Sequence, residues 1–191
     1  APMSAPTPTP TPAPARTPQP TPTARPKPTP TPKPTPSESE VVATLKQTVV
    51  RLVSPTGQGS GVIIDPRGFV LTANHVISGS PQVTVVFGDG RKETGLILGR
   101  DEFRDLAVVK ISGREDLVTA PIGNSGDLFP GDRVLAMGYT GEQLVVTRGI
   151  LSDRVLLGGL TFIQTDALLI PGFSGGPLFT TQGQVIGMSV Q

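Results

Sequence analysis

The chain has 191 residues, among them 22 prolines, one histidine and no cysteine, and its 16 basic and 15 acidic side chains nearly balance. The missing cysteine excludes disulfides, thiolate metal sites and a cysteine nucleophile. One histidine cannot build the usual zinc sites, so no metal or cofactor is expected, and no apolar run is long enough to cross a membrane.

Residues 1–36 hold 15 of the prolines, many as Thr-Pro repeats, four basic residues and no acid. Such a segment has no apolar face to bury and cannot offset its ordering entropy. Residues 1–40 therefore read as a disordered Pro/Thr-rich linker of polyproline-II character, with 37–40 as an acidic transition. A spacer implies something upstream, so an export signal or membrane anchor is expected there. Residues 37–191 carry 12 basic and 15 acidic side chains, a net charge of −3. That gives no nucleic-acid surface. Residues 41–191 are enough for one domain with a real core.

From residue 49 onward, short β-branched runs broken by turn residues replace any helical period. Strands are expected at 49–53, 61–64, 69–73, 83–87, 94–98 and 106–111. A second set is expected at 133–137, 144–152, 162–165, 177–179 and 184–190. Asp65-Pro66-Arg67-Gly68 reads as a type I turn, and Gly88-Asp89-Gly90 as a hairpin connection. The fold class is all-β. Two small antiparallel barrels of the six-stranded type are expected, the first at about 45–112 and the second at about 120–191.

Three residues carry a chemistry together that none carries alone. His75 follows the strand 69–73, Asp105 opens the strand 106–111, and Ser174 lies in Pro171-Gly172-Phe173-Ser174-Gly175-Gly176-Pro177. In that combination a histidine takes the serine's proton, and an aspartate fixes the imidazole tautomer and stabilises its charged form. The glycines allow the N–H groups of Gly172 and Ser174 to converge as an oxyanion hole. The order His, Asp, Ser, with the serine in the second barrel, is that of chymotrypsin.

Other motifs are weaker. Gly172-Phe173-Ser174-Gly175-Gly176 also fits the nucleophile elbow of α/β-hydrolases, but that fold needs an acid and a histidine after the serine. Residues 175–191 contain neither. Gly123-Asn124-Ser125-Gly126-Asp127 reads as a turn. Gly57-Gln58-Gly59-Ser60-Gly61 has no helix or Lys-Ser/Thr after it and is a poor phosphate loop.

The chain resembles trypsin-like serine proteases of the HtrA, or DegP-like, type. The likeness is carried by Gly59-Ser60-Gly61-Val62-Ile63-Ile64-Asp65, Leu71-Thr72-Ala73-Asn74-His75-Val76, Arg104-Asp105-Leu106-Ala107-Val108-Val109-Lys110, Gln164-Thr165-Asp166-Ala167 and the Ser174 loop. The resemblance implies a cofactor-independent serine endopeptidase acting on unfolded or damaged proteins outside the cytoplasm. It implies a periplasmic, envelope or secreted setting, and homotrimers. His75 would be the base, Asp105 its orienter, Ser174 the nucleophile, and Gly172 and Ser174 the oxyanion donors. Leu168, Leu169 and Ile170 would line the pocket for the substrate side chain. The family continues beyond the point matched by Gln191, so a C-terminally truncated second barrel is expected. It commonly has Asn at the positions of Ile170 and Phe173. An apolar Phe173 leads to the expectation that the loop rests with Gly172 pulled aside. Two other readings stand beside the protease. One is a protease-fold module that binds peptides without cutting. The other is a surface adhesin, for which only the tail speaks.

Overall fold

The computed structural model describes residues 36–190. Residues 1–35 of the expected linker lie outside the described residues. The transition at 37–40 is instead the start of a helix, α1 (Glu38–Leu45). Ser37 forms a capping box: its Oγ accepts from the Glu40 N–H at 3.3 Å, and Glu40 Oε2 accepts from the Ser37 N–H at 2.7 Å. These bonds supply partners for N–H groups that a helix start leaves open. The Ser37 backbone and hydroxyl hold the Glu40 carboxyl below its ordinary pKa.

Six strands follow: β1 (Val49–Ser54), β2 (Gly57–Asp65), β3 (Phe69–Ala73), β4 (Gln82–Val86), β5 (Lys92–Asp101) and β6 (Leu106–Ile111). They close into an antiparallel barrel in the order β1-β2-β3-β6-β5-β4. Strand β2 starts four residues before the expected position. Gly57 pairs with Ser54, Gly59 with Leu52 and Ser60 with Arg51, so the glycine-rich stretch is a paired strand and not a loop. The turn at Asp65 forms as expected, with the Gly68 N–H donating to Asp65 O at 2.9 Å.

Five more strands form the second half: β7 (Arg133–Thr140), β8 (Gln143–Leu157), β9 (Leu160–Thr165), β10 (Pro177–Thr180) and β11 (Val185–Met188). Their order is β11-β10-β7-β8-β9. The expected pair of barrels is thus one closed barrel and one open sheet, whose edges are β9 and β11 among the described residues. Both edges line a single cavity of about 450 Å³, with Leu160–Ile163 on one side and Ile186–Met188 on the other. The sheet curls far enough to face its edges toward each other without hydrogen-bonding them.

Three cores result. One fills the closed barrel, around Leu52, Ile63, Val70, Val109 and Ile111. Another lies in the open sheet, around Val134, Ala136, Leu151 and Phe173. The third joins the two halves: Val49 and Val62 of the barrel pack with Leu135, Met137, Phe179 and Val185 of the sheet, and Leu45 of α1 closes it. That shared core fixes the relation between the barrel and the sheet on which any site between them depends. Phe179 is wholly buried in it. Phe179→Ala is expected to destabilise the protein by about 3–5 kcal/mol in denaturant unfolding. A loss below about 1 kcal/mol would mean that the shared core does not hold the halves together.

Candidate active site

Strand β3 ends at Ala73, and a single 3₁₀ turn, Asn74–Ile77, carries His75 out of the sheet. Asp105 immediately precedes β6. Ala73 and Leu106 are register partners, so the residues just beyond them meet across the strand ends. The Asn74 N–H donates to Asp105 O at 3.0 Å, and the His75 N–H donates to Asp105 Oδ1 at 2.9 Å. His75 Nδ1 lies 2.6 Å from Asp105 Oδ2. Both carboxylate oxygens and the carbonyl of Asp105 are therefore spent on the His75 turn. The pair is about one-third exposed, at 40% for the histidine side chain and 32% for the aspartate. Asp105 adopts φ +51°, the one positive φ outside glycine among the described residues. Aspartate tolerates this left-handed region better than most residues, and three hydrogen bonds offset the strain.

Ser174 lies in the connection between β9 and β10. Its carbonyl accepts from the Ser60 N–H at 2.8 Å. The Gly172 carbonyl accepts from Ser60 Oγ at 2.8 Å, and the same Oγ accepts from the Tyr139 N–H at 2.8 Å. The Gly175 N–H donates to Ser189 O at 2.7 Å and the Gly176 N–H to Phe173 O at 2.6 Å. Gly172 sits at φ +98°, and a Cβ there would collide with the Tyr139 carbonyl. Gly175 sits at φ +77°, where a Cβ would collide with Ser60 O and Thr72 Oγ1 and lie 2.8 Å from Ala73 N. The loop is thus pressed onto the end of β3, within two residues of His75.

Among the described residues, no hydrogen bond joins Ser174 Oγ to His75, and neither the Gly172 nor the Ser174 N–H has an intramolecular acceptor. These two donors are available to a bound group. No group of three or more His, Asp or Glu side chains that could hold a metal occurs among the described residues.

Phe173 is fully buried. It packs in the sheet core with Ala136, Leu151, Leu178 and Ile186, and its Cα and ring occupy the place a side chain at Gly138 would need. The phenylalanine thus finds its burial within the second half, while Ser60 keeps hold of Gly172. Of the three expected pocket residues, Leu168 is exposed at 63%, and Leu169 and Ile170 are half-buried against the sheet core. Leu169 alone of the three lines the cavity between the sheet edges. Ser125, the other serine between glycines, lies in a 3₁₀ turn that Asn124 caps by accepting from the Gly126 N–H at 3.0 Å. Ser60, Thr72 and Tyr139 escape sequence reasoning as supports of the site, because each of the bonds that matter uses a main-chain atom, which leaves no residue signature.

A family model described as a trypsin-like peptidase domain matches residues 59–188. The chain belongs to that family. This trypsin-like peptidase domain is 45% identical over 143 residues to a serine protease, HhoA, of Synechocystis sp., covering 70% of this chain and 36% of that protein. It is 45% identical over 138 residues to a DegP-like periplasmic serine endoprotease of Pseudomonas savastanoi pv. phaseolicola, covering 70% of this chain and 29% of that protein. It also superposes on the HtrA-type protease AlgW solved with a decapeptide, with a TM-score of 0.72, 33% identity, and coverage of 81% of this chain and 59% of that one. The chain spans about a third of the length of the curated relatives it matches.

Gly138 gives the trypsin-like domain a direct test of how Phe173 seats the loop. A Cβ at Gly138 would come within 2.8 Å of Phe173 Cα. Gly138→Ala is expected to lower stability by about 1–3 kcal/mol through overpacking. Gly138→Ala combined with Phe173→Leu should recover part of that loss in thermal unfolding. Equal stability of Gly138→Ala and the parent would place Phe173 elsewhere.

Proposed function

We propose that this domain is a serine endopeptidase of the HtrA type that cleaves unfolded or damaged polypeptides through an acyl-enzyme. The observation that carries the proposal is the double grip of Asp105 on His75, set beside a serine loop with two unoccupied N–H groups. With Nδ1–H donated to Asp105 Oδ2, the imidazole presents its Nε2 lone pair as the base. Ser174 Oγ attacks the scissile carbonyl carbon and its proton passes to His75 Nε2. The carbonyl oxygen takes up negative charge and is held by the Gly172 and Ser174 N–H groups. Asp105 stabilises the imidazolium. The C–N bond breaks, His75 protonates the leaving amine, and the acyl group remains on Ser174. Water then repeats the sequence with His75 again as base, and Ser174 is regenerated.

Leu168, Leu169 and Ile170 are the proposed wall of the substrate side-chain pocket, suited by their apolar character to aliphatic residues. The name of the DegP-like relative, a periplasmic endoprotease, supports a location outside the cytoplasm, and a periplasmic, envelope or secreted setting belongs to this proposal. No described helix is long and apolar enough to cross a membrane. An anchor would therefore act through a segment other than the described helix, and assembly as a homotrimer belongs to the same proposal.

A second reading has one observation in its favour. No hydrogen bond joins Ser174 Oγ to His75 among the described residues, as a peptide-binding module without activity would allow. Catalytic hydrogen bonds often tighten only when substrate is bound. Fluorophosphonate labelling separates the two readings. The endopeptidase predicts labelling at Ser174, loss of all labelling in Ser174→Ala, and a fall in kcat of about 10⁴ for Asp105→Asn on an unfolded casein substrate. Peptide binding with no label on Ser174 would establish the binding module instead.

A further inference from the structure

The two residues proposed as oxyanion donors, Gly172 and Ser174, are the same two whose carbonyl oxygens are held by Ser60. From this coincidence we infer that Ser60, on β2 of the closed barrel, is a positioning residue that sets the oxyanion loop of the other half. The inference rests on the endopeptidase reading above and adds a residue to it.

The geometry divides the task between two parts of one residue. The Ser60 N–H fixes Ser174 O at 2.8 Å, a main-chain bond that no substitution short of proline removes. The Ser60 hydroxyl fixes Gly172 O at 2.8 Å, a bond that needs a side-chain donor at residue 60. Ser60 is wholly buried, so water does not compete for these partners. Its own orientation is over-determined. Oγ accepts from the Tyr139 N–H at 2.8 Å, which leaves its single proton for Gly172 O, and Ser60 O accepts from Thr72 Oγ1 at 2.7 Å.

Tyr139 explains why a hydroxyl is needed there. Strand β10 pairs with β7 only from Ala136 back to Val134. Tyr139 lies beyond the last β10 partner, so its N–H, turned to that side, faces no neighbouring strand. A buried amide without a partner costs free energy. Ser60 Oγ accepts from it and, with the same atom, donates to the loop that takes the place of the missing strand. Gly172 packs so closely over the Tyr139 carbonyl that any side chain would strike it. The end of β7, the loop and β2 are therefore bound through one oxygen atom.

A hydroxyl that both accepts and donates is worth more here than its bonds' contribution to folding. Releasing the Gly172 carbonyl leaves the Gly172–Phe173 peptide held only by the Phe173 N–H bond to Ile170 O at 3.0 Å, while Ser174 stays tethered by the Ser60 main chain. One donor of the pair is then held less firmly in direction. Removal of a single oxyanion donor lowers kcat by roughly 10²–10³. Loosening one without removing it should cost less, about 10-fold to 100-fold, and should fall on kcat, because the oxyanion exists only after attack has begun.

The test compares Ser60→Ala with the parent and with Val109→Ala. The last variant opens a cavity in the closed-barrel core, where Val109 is fully buried and away from the loop, and serves as a control for destabilisation. We expect Ser60→Ala to lower kcat on a peptide substrate about 10-fold to 100-fold with KM changed less than threefold. A peptide boronate, which mimics the tetrahedral state, should bind more weakly by a similar factor. Val109→Ala should lose stability and keep the parental kcat. The Gly172 amide resonance of Ser60→Ala should broaden or shift while that of Ser174 holds, a readout independent of turnover. Ser60→Cys keeps the side-chain volume with a weaker donor and should fall between parent and Ala in each measurement, which serves if the alanine variant does not fold. A parental kcat in Ser60→Ala or Ser60→Cys, or a loss confined to KM, overturns the inference. If the parent itself neither turns over peptide nor labels at Ser174, the endopeptidase reading fails. The amide resonances then still decide whether Ser60 sets the loop.

Discussion

A single buried oxygen, Ser60 Oγ, accepts from one half of the domain and donates to the loop that closes over it. The shared core aligns the barrel and the sheet, but apolar packing is non-directional and tolerates sliding. Hydrogen bonds with one permitted direction are what turn that alignment into a defined loop. The glycines follow from the same constraint. Gly172 and Gly175 are backbone positions driven against Tyr139 O and Ser60 O, where no Cβ fits and where φ is positive. The loop is crowded from both halves.

The other side of the site has a different origin. His75 and Asp105 are placed by strand register alone. β3 and β6 are paired from Phe69–Lys110 to Ala73–Leu106, and continuing that ladder by one step brings Asn74 to Asp105. A register slip would reverse every side chain between core and solvent, so the in-out alternation that keeps Val70 and Ala107 buried also fixes the His75–Asp105 pair. The positive φ of Asp105 is the local strain of turning a carboxylate back toward that turn.

Much of this was legible in the sequence, in specific places. Alternating β-branched runs located all eleven strands, because a half-buried pleated surface selects those side chains. The spacing of His75, Asp105 and Ser174 identified the candidate site, because order and turn chemistry survive without coordinates. Helix α1 was not seen, although Ser37 and Glu40 have the capping-box spacing. Eight residues after a proline-rich run carry too little periodicity to compete with that composition. The incomplete second barrel was expected only from the family resemblance, because strand count alone does not reveal which edges pair. Phe173 was legible as a side chain that seeks burial, but not as to where. Its apolar character demanded burial, but only the glycine at position 138, on a strand far away in sequence, shows where the space lies. Ser60 was visible as part of a glycine-rich motif, yet its partners are main-chain atoms of Gly172, Ser174 and Tyr139, and no residue type at those positions announces the bond.

The central claim is that both halves of the domain hold the Gly172–Ser174 loop ready for a developing oxyanion. A crystal structure of the domain with a peptidyl phosphonate bonded to Ser174 Oγ tests this most directly. The account predicts a phosphonyl oxygen within about 3 Å of both the Gly172 and Ser174 nitrogens, with Ser60 Oγ still bonded to Gly172 O. A phosphonyl oxygen turned to solvent, or a loop that reaches the adduct only after leaving Ser60, would contradict it.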